Sequence, residues 1–168
     1  MNYSYIIIDD NSESTLKTLA VTARFRELQF IASASSYQDS LNLILEYRPT
    51  FVFLEVDPKN PNSGLSFGLI NELHRFLKVL PKIIITTNNA QMALQALQYG
   101  AFDYLPKPFT MKALAKTSLL WHSIAVPSPK TYSKVNCLDT KQGHLREPWR
   151  TKKDYWKRRT MAVFSWMK

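Results

Sequence analysis

The stretch "KIIITTNNAQMALQALQYGAFDYLPKPF", residues 82–109, contains a complete strand–helix–strand unit. "KIIIT" (82–86) is short, β-branched and bounded by polar residues, which is the pattern of a buried strand. Ala93, Leu94, Ala96 and Leu97 then recur at helical spacing, and Gly100 stands where such a helix would end. "FDYL" (102–105) reads as the next strand. Two neighbouring strands joined through a helix run parallel.

The same alternation fills the chain upstream. "YIII" (5–8), "FIASA" (30–34) and "FVFL" (51–54) read as strands. Between them lie helical stripes: Leu16, Leu19, Ala20 and Ala23; Leu41, Ile44 and Leu45; Leu69, Ile70, Leu73, Phe76 and Leu77. A last stripe, Met111, Leu114, Ala115, Ser118 and Leu119, follows the fifth strand. Each stripe is read as core packing. Asn11 or Ser12 is placed to cap the first helix. The fold class is therefore α/β, a doubly wound five-stranded parallel sheet with expected order 2-1-3-4-5.

The chain has 168 residues, 45% of them hydrophobic, and a net charge of +9. The charge is uneven. Residues 1–126 hold 11 Lys/Arg against 10 Asp/Glu, and residues 127–168 hold 11 against 3. One domain is expected over residues 1–125. "VPSPKTYS" (126–133) reads as a linker into a basic, aromatic tail that ends at residue 168. The single cysteine, Cys137, allows no intrachain disulfide. No apolar run reaches the length of a membrane span, and no basic segment precedes the first apolar run. A cytoplasmic protein without a membrane partner is the expectation.

In an open parallel sheet, ligands bind beyond the carboxyl ends of the strands, where the strand order reverses. Strand 1 ends in Asp9 and Asp10, and strand 3 in Glu55 with Asp57 close behind. Strand 4 ends in Thr86 and Thr87, and strand 5 runs into Lys107. Carboxylates so crowded repel one another unless a cation joins them. Mg²⁺, held by Asp9, Asp10, Glu55 and Asp57, is the expected cofactor, because a shallow oxygen-lined site suits it. With Lys107 and Thr87 alongside, such a site would suit a phosphoryl group. His74, His122 and His144 are isolated and have no metal-binding spacing.

"GAFDYLPKPF" (100–109), the upstream "ITT" (85–87) and the "DD" of residues 9 and 10 resemble the receiver domain of two-component response regulators. Residues 83–109 are especially similar to receivers joined to LytTR-type DNA-binding domains. The resemblance covers roughly residues 3–124. It implies a flavodoxin-like receiver fold and a signalling switch in a phosphorelay pathway, not an enzyme. Its implied partners are a histidine kinase, another signalling protein or a second copy of the chain. By the same likeness Asp9 and Asp10 would hold Mg²⁺, Thr87 and Tyr104 would be the switch pair, and Lys107 would contact phosphoryl oxygens. The Lys107–Pro108 bond would be cis.

One departure matters. Receivers carry an aspartate acceptor at the end of strand 3, and here that position holds Glu55, six residues after Pro49. The glycine that normally follows does not fix the register, because Gly64 lies nine residues after Glu55 and seven after Asp57. The extra methylene of glutamate advances its carboxylate, and a misplacement of about 1 Å can slow a reaction on the order of 10²-fold. The reading is thus an atypical receiver, a pseudo-receiver whose output does not depend on ordinary phosphorylation. Phosphorylation at Asp57 through a shifted loop, or at Glu55 itself, is the alternative.

Two other function classes compete with this reading. An Asp-nucleophile phosphatase would place Asp-x-Asp after strand 1, where this chain has Asp9-Asp10-Asn11. A nucleic-acid regulator would act through "REPWRTKKDYWKRRT" (146–160). There Arg150, Lys152, Lys153, Lys157, Arg158 and Arg159 could meet phosphates while Trp156 stacks on bases. An unstructured basic extension explains the same residues.

Overall fold

The computed structural model describes residues 2–117. The strands are β1 (Tyr3–Ile8), β2 (Leu28–Ala34), β3 (Phe51–Leu54), β4 (Lys82–Thr87) and β5 (Asp103–Pro106). The helices are α1 (Ser12–Thr22), α2 (Tyr37–Tyr47), α3 (Gly68–Phe76) and α4 (Met92–Gln98), and residues 111–117 are helical as well. The sheet order is β2-β1-β3-β4-β5 and every pairing is parallel, as the alternating pattern requires. The expected domain end at residue 125 and the tail lie outside the described residues.

The three central strands carry the core. Ile6 to Ile8, Phe51 to Leu54 and Ile84 to Ile85 are wholly or almost wholly buried, because helices cover both faces of a doubly wound sheet. Four strands start or end beyond their apolar runs. The ladder pairs Tyr3 with Leu28 and Ser4 with Gln29, positions with no uniform apolar signal.

Helix α1 departs from its expected stripe. Leu16 is 64% exposed, and the buried positions are Thr18 and Thr22. Thr22 is recruited by polar contacts: its hydroxyl donates to the Thr18 carbonyl at 2.9 Å and lies 2.8 Å from the hydroxyl of buried Tyr5. A threonine that returns its hydroxyl to its own helix can be buried without an unsatisfied group. Phe76 and Leu94 are likewise exposed, while Leu69, Ile70, Leu73, Ala93 and Ala96 pack inward as expected. Asn11 is the cap of α1, its side chain accepting from the backbone of Glu13 and Ser14. Gly100 follows α4 with φ +74°, a left-handed conformation in which glycine is unstrained.

Candidate functional site

Hydrogen bonds past the strand ends bring the polar residues together. The Asp9 N–H donates to the Ala34 carbonyl at 3.0 Å, and the Glu55 N–H to the Ile8 carbonyl at 2.9 Å. The Lys107 N–H donates to the Thr87 carbonyl at 2.9 Å. These bonds hold Asp9, Glu55 and Lys107 at the carboxyl ends of β1, β3 and β5. The Lys107–Pro108 peptide is cis, as the resemblance implies.

The lysine side chain crosses over β4 and joins the two carboxylates. Its Nζ lies 2.5 Å from Asp9 Oδ2 and 2.7 Å from Glu55 Oε2. The three side chains are only 8%, 2% and 3% exposed. Charges so deeply buried need hydrogen-bond partners, and each carboxylate oxygen has one. Asp9 Oδ1 accepts from the Asn11 N–H at 2.9 Å, while Glu55 Oε1 accepts from the N–H groups of Val56 and Asp57, both at 2.9 Å. All four oxygens of the two carboxylates are therefore engaged.

The other two carboxylates stand apart from this bridge. Asp10 Oδ2 accepts from the Asn60 N–H at 2.6 Å, which ties the end of β1 to the loop after β3. Asp57 is exposed, and its Oδ2 accepts from Asn89 Nδ2 at 3.2 Å. All four acids border one depression with Ser14, Lys59 and Asn88, but its volume is only about 20 Å³. That is room for about one water. Mg²⁺ takes octahedral oxygen ligands at about 2.0–2.1 Å and keeps several waters. Here the cation between Asp9 and Glu55 is the lysine ammonium. Among the described residues no three His, Cys, Asp or Glu side chains are arranged around a common metal position. The four carboxylates thus border one depression without being gathered around a single metal position.

Thr87 and Tyr104 meet at a residue that the sequence did not single out. Thr87 is wholly buried, and its Oγ1 accepts from the Asn89 N–H at 3.3 Å. Tyr104 is turned inward, 1% exposed, and its hydroxyl donates to the Asn89 carbonyl at 3.1 Å. Since the Asn89 side chain also holds Asp57, this asparagine connects the loop after β3 to the aromatic on β5. In the sequence, "NN" between a strand and a helix signals only a turn. Its link to Asp57 joins residues 32 apart. Asp103 was missed as well. This buried carboxylate accepts from the Tyr104 N–H at 2.7 Å and from the Thr117 hydroxyl at 2.6 Å, fastening β5 to the helical residues 111–117.

Burial first, and the charge of Glu55 second, push the Tyr104 phenol up to about 12. Unfolded tyrosine ionises near 10, so between about pH 10 and 12 the unfolded chain binds fewer protons than the folded one. Stability contributed by Tyr104 is complete below that window and falls through it by at most about 1.4 kcal/mol per pH unit. Denaturant titrations of the wild type and Tyr104→Phe across this range check the point: the wild type is expected to lose stability more steeply. Equal slopes would show that Tyr104 ionises normally.

His74 is exposed on α3 and belongs to no such cluster among the described residues. Arg150, Lys152, Lys153, Trp156, Lys157, Arg158 and Arg159, the nucleic-acid candidates, lie outside the described residues. No described helix is long and apolar enough to cross a membrane.

Comparison with known proteins agrees with this geometry. The family of response regulator receiver domains matches residues 6–118. The sensory transduction protein LytT of Bacillus cereus is 30% identical over 112 residues, which cover 67% of this chain and 44% of that protein. A response regulatory protein of Vibrio cholerae is 32% identical over 114 residues, 68% of this chain and 46% of its own length. The chain thus spans less than half the length of these relatives. Among solved structures, the isolated receiver domain of RcsB from Salmonella enterica, determined with a phosphomimetic beryllofluoride, superposes with a TM-score of 0.63 at 16% identity. That likeness covers 73% of this chain and 90% of the other. With its parallel sheet in the order 2-1-3-4-5 and its acidic crevice bridged by the lysine that follows β5, this chain belongs to the response regulator receiver family.

Proposed function

We propose that this receiver is a signalling switch whose resting state is set by its own ion bridge and not by a phosphoryl group. The observation that carries the reading is the Lys107 ammonium held between buried Asp9 and Glu55, with Tyr104 already inward. Glu55, one methylene longer than the aspartate that receivers carry there, meets the lysine at 2.7 Å. It brings one negative charge where a phosphate brings roughly 1.5 to 2. The inward state is therefore favoured without being fully fixed, which leaves a partner room to shift it.

Output passes through the surface of α4, β5 and the helical residues 111–117, where Leu94 and Tyr99 are exposed. A histidine kinase or another signalling protein in the cytoplasm is the partner that fits the family. DNA contact through the tail and self-association remain separate proposals of the sequence. Mg²⁺ has no assigned step.

Incubation of the full chain with acetyl phosphate and Mg²⁺, followed by intact mass measurement, tests the reading. The mass is expected to stay unchanged. Gain of one phosphoryl group that disappears in Asp57→Asn would move the acceptor to Asp57, and gain that survives Asp57→Asn would make Glu55 the acceptor.

A further inference from the structure

Parallel strands give the sheet two unlike edges. The crevice occupies the carboxyl edge. At the opposite edge, where β3 and β4 begin, lies an open groove of about 690 Å³. Its charged lining residues are Arg48, Lys78 and Lys82, and none of its lining residues is acidic. Its remaining walls are largely apolar. Phe76 is 56% and Val79 85% exposed there, unusual for large apolar side chains that sit side by side.

Two features set this groove apart from a chance solvated patch. Arg48 ends α2 at φ 44°, the one non-glycine with positive φ among the described residues. Glycine would be unstrained at this helix end, whereas arginine is strained but adds a positive charge to the groove lining. Lys82 sits with its ammonium 5.6 Å from the Phe51 ring centre and 5.5 Å from that of Phe102. Burial pushes this lysine below its ordinary range. An incoming anion would relieve that cost.

We propose that this groove is a docking site for an acidic, apolar peptide segment of a partner protein, whose carboxylates meet Arg48, Lys78 and Lys82 while its apolar side chains cover Phe76, Val79 and Leu80. Charge complementarity selects this occupant. The chain's own residues 127–168 hold 11 Lys/Arg against 3 Asp/Glu, the same sign of charge as the groove lining. The acidic crevice of a second copy is also a poor occupant, because Asp9 and Glu55 are spent on Lys107. Nucleic acid brings phosphates but no aliphatic groups for the exposed apolar walls.

The test uses the full chain at physiological salt and a fluorescein-labelled synthetic peptide that alternates Glu with Phe and Leu, followed by fluorescence anisotropy. Wild type is expected to bind it, and the double variant Arg48→Gly/Lys78→Glu to bind at least about tenfold more weakly, the loss of one charge-assisted contact or more. Peptides with Gln for Glu, or Ala for Phe and Leu, are expected to bind weakly to both. Arg48→Gly relieves backbone strain and Lys78 is exposed, so the variant should melt no lower than the wild type. Equal binding by wild type and folded variant would assign capture to the basic tail and overturn the proposal, as would no binding to wild type. A labelled single-stranded oligonucleotide, or phosphatidylglycerol vesicles, bound more tightly than the peptide and released by the double variant would also overturn it.

Discussion

Lys107→Met is expected to lower the stability of the domain by about 3–5 kcal/mol, the usual cost of removing one partner from a buried ion pair. The substitution keeps the apolar stem and deletes only the charge. Asp9 and Glu55, 2% and 3% exposed, would then face each other with no cation between them. A domain of this size has a total stability of about 5–15 kcal/mol, so the variant should be marginal. Urea denaturation at neutral pH reads the loss as a lower midpoint. Adding Glu55→Gln to Lys107→Met removes one of the stranded charges and should restore part of the stability, a coupling of about 0.5–3 kcal/mol. If Lys107→Met instead stays within about 0.5 kcal/mol of wild type, the usual size of a surface substitution, the lysine is solvated and the bridge is not structural.

Glu55→Asp should have the largest effect on chemistry. Shortening the side chain draws the carboxylate back toward β3 and away from the lysine, opening space at the crevice. A reacting group moved by about 1 Å changes rates on the order of 10²-fold. The variant is therefore expected to accept a phosphoryl group from acetyl phosphate, with Mg²⁺ in the buffer, on the order of 10²-fold faster than wild type. The carboxylate oxygen would attack phosphorus, and the bond to acetate would break with release of acetate. Release of labelled acetate, or the mass of the acyl phosphate, measures it. Failure of Glu55→Asp to label beyond the wild type would mean that side-chain length is not what silences the site.

The fold was legible because its signals are local. Apolar β-branched runs such as Ile83 to Ile85 and helical stripes such as Leu69, Ile70 and Leu73 fix element type, and their alternation leaves few topologies. The same logic failed at α1, where burial follows the pairing of Thr22 with Tyr5, a contact between residues 17 apart that no hydrophobic period records. Asp9, Glu55 and Lys107 were legible as a set, since all three fall at strand ends, and the structure brings them within hydrogen-bond distance. What they do together was not legible. Four carboxylates in one crevice suggest a metal, and only the reach of a single lysine across β4 reveals that two of them, Asp9 and Glu55, already share a cation. Asn89 was hidden for a similar reason: its turn is local, but its hold on Asp57 and Tyr104 depends on three elements meeting.

The central question is whether the crevice is closed by its own lysine, and a crystal structure of the protein grown with Mg²⁺ and beryllofluoride addresses it most directly. The expected result is Lys107 still joined to both Asp9 and Glu55, with neither ion in the crevice. Beryllofluoride bonded to Glu55 or Asp57, with Mg²⁺ beside it and Lys107 drawn away from Asp9, would contradict a self-bridged switch.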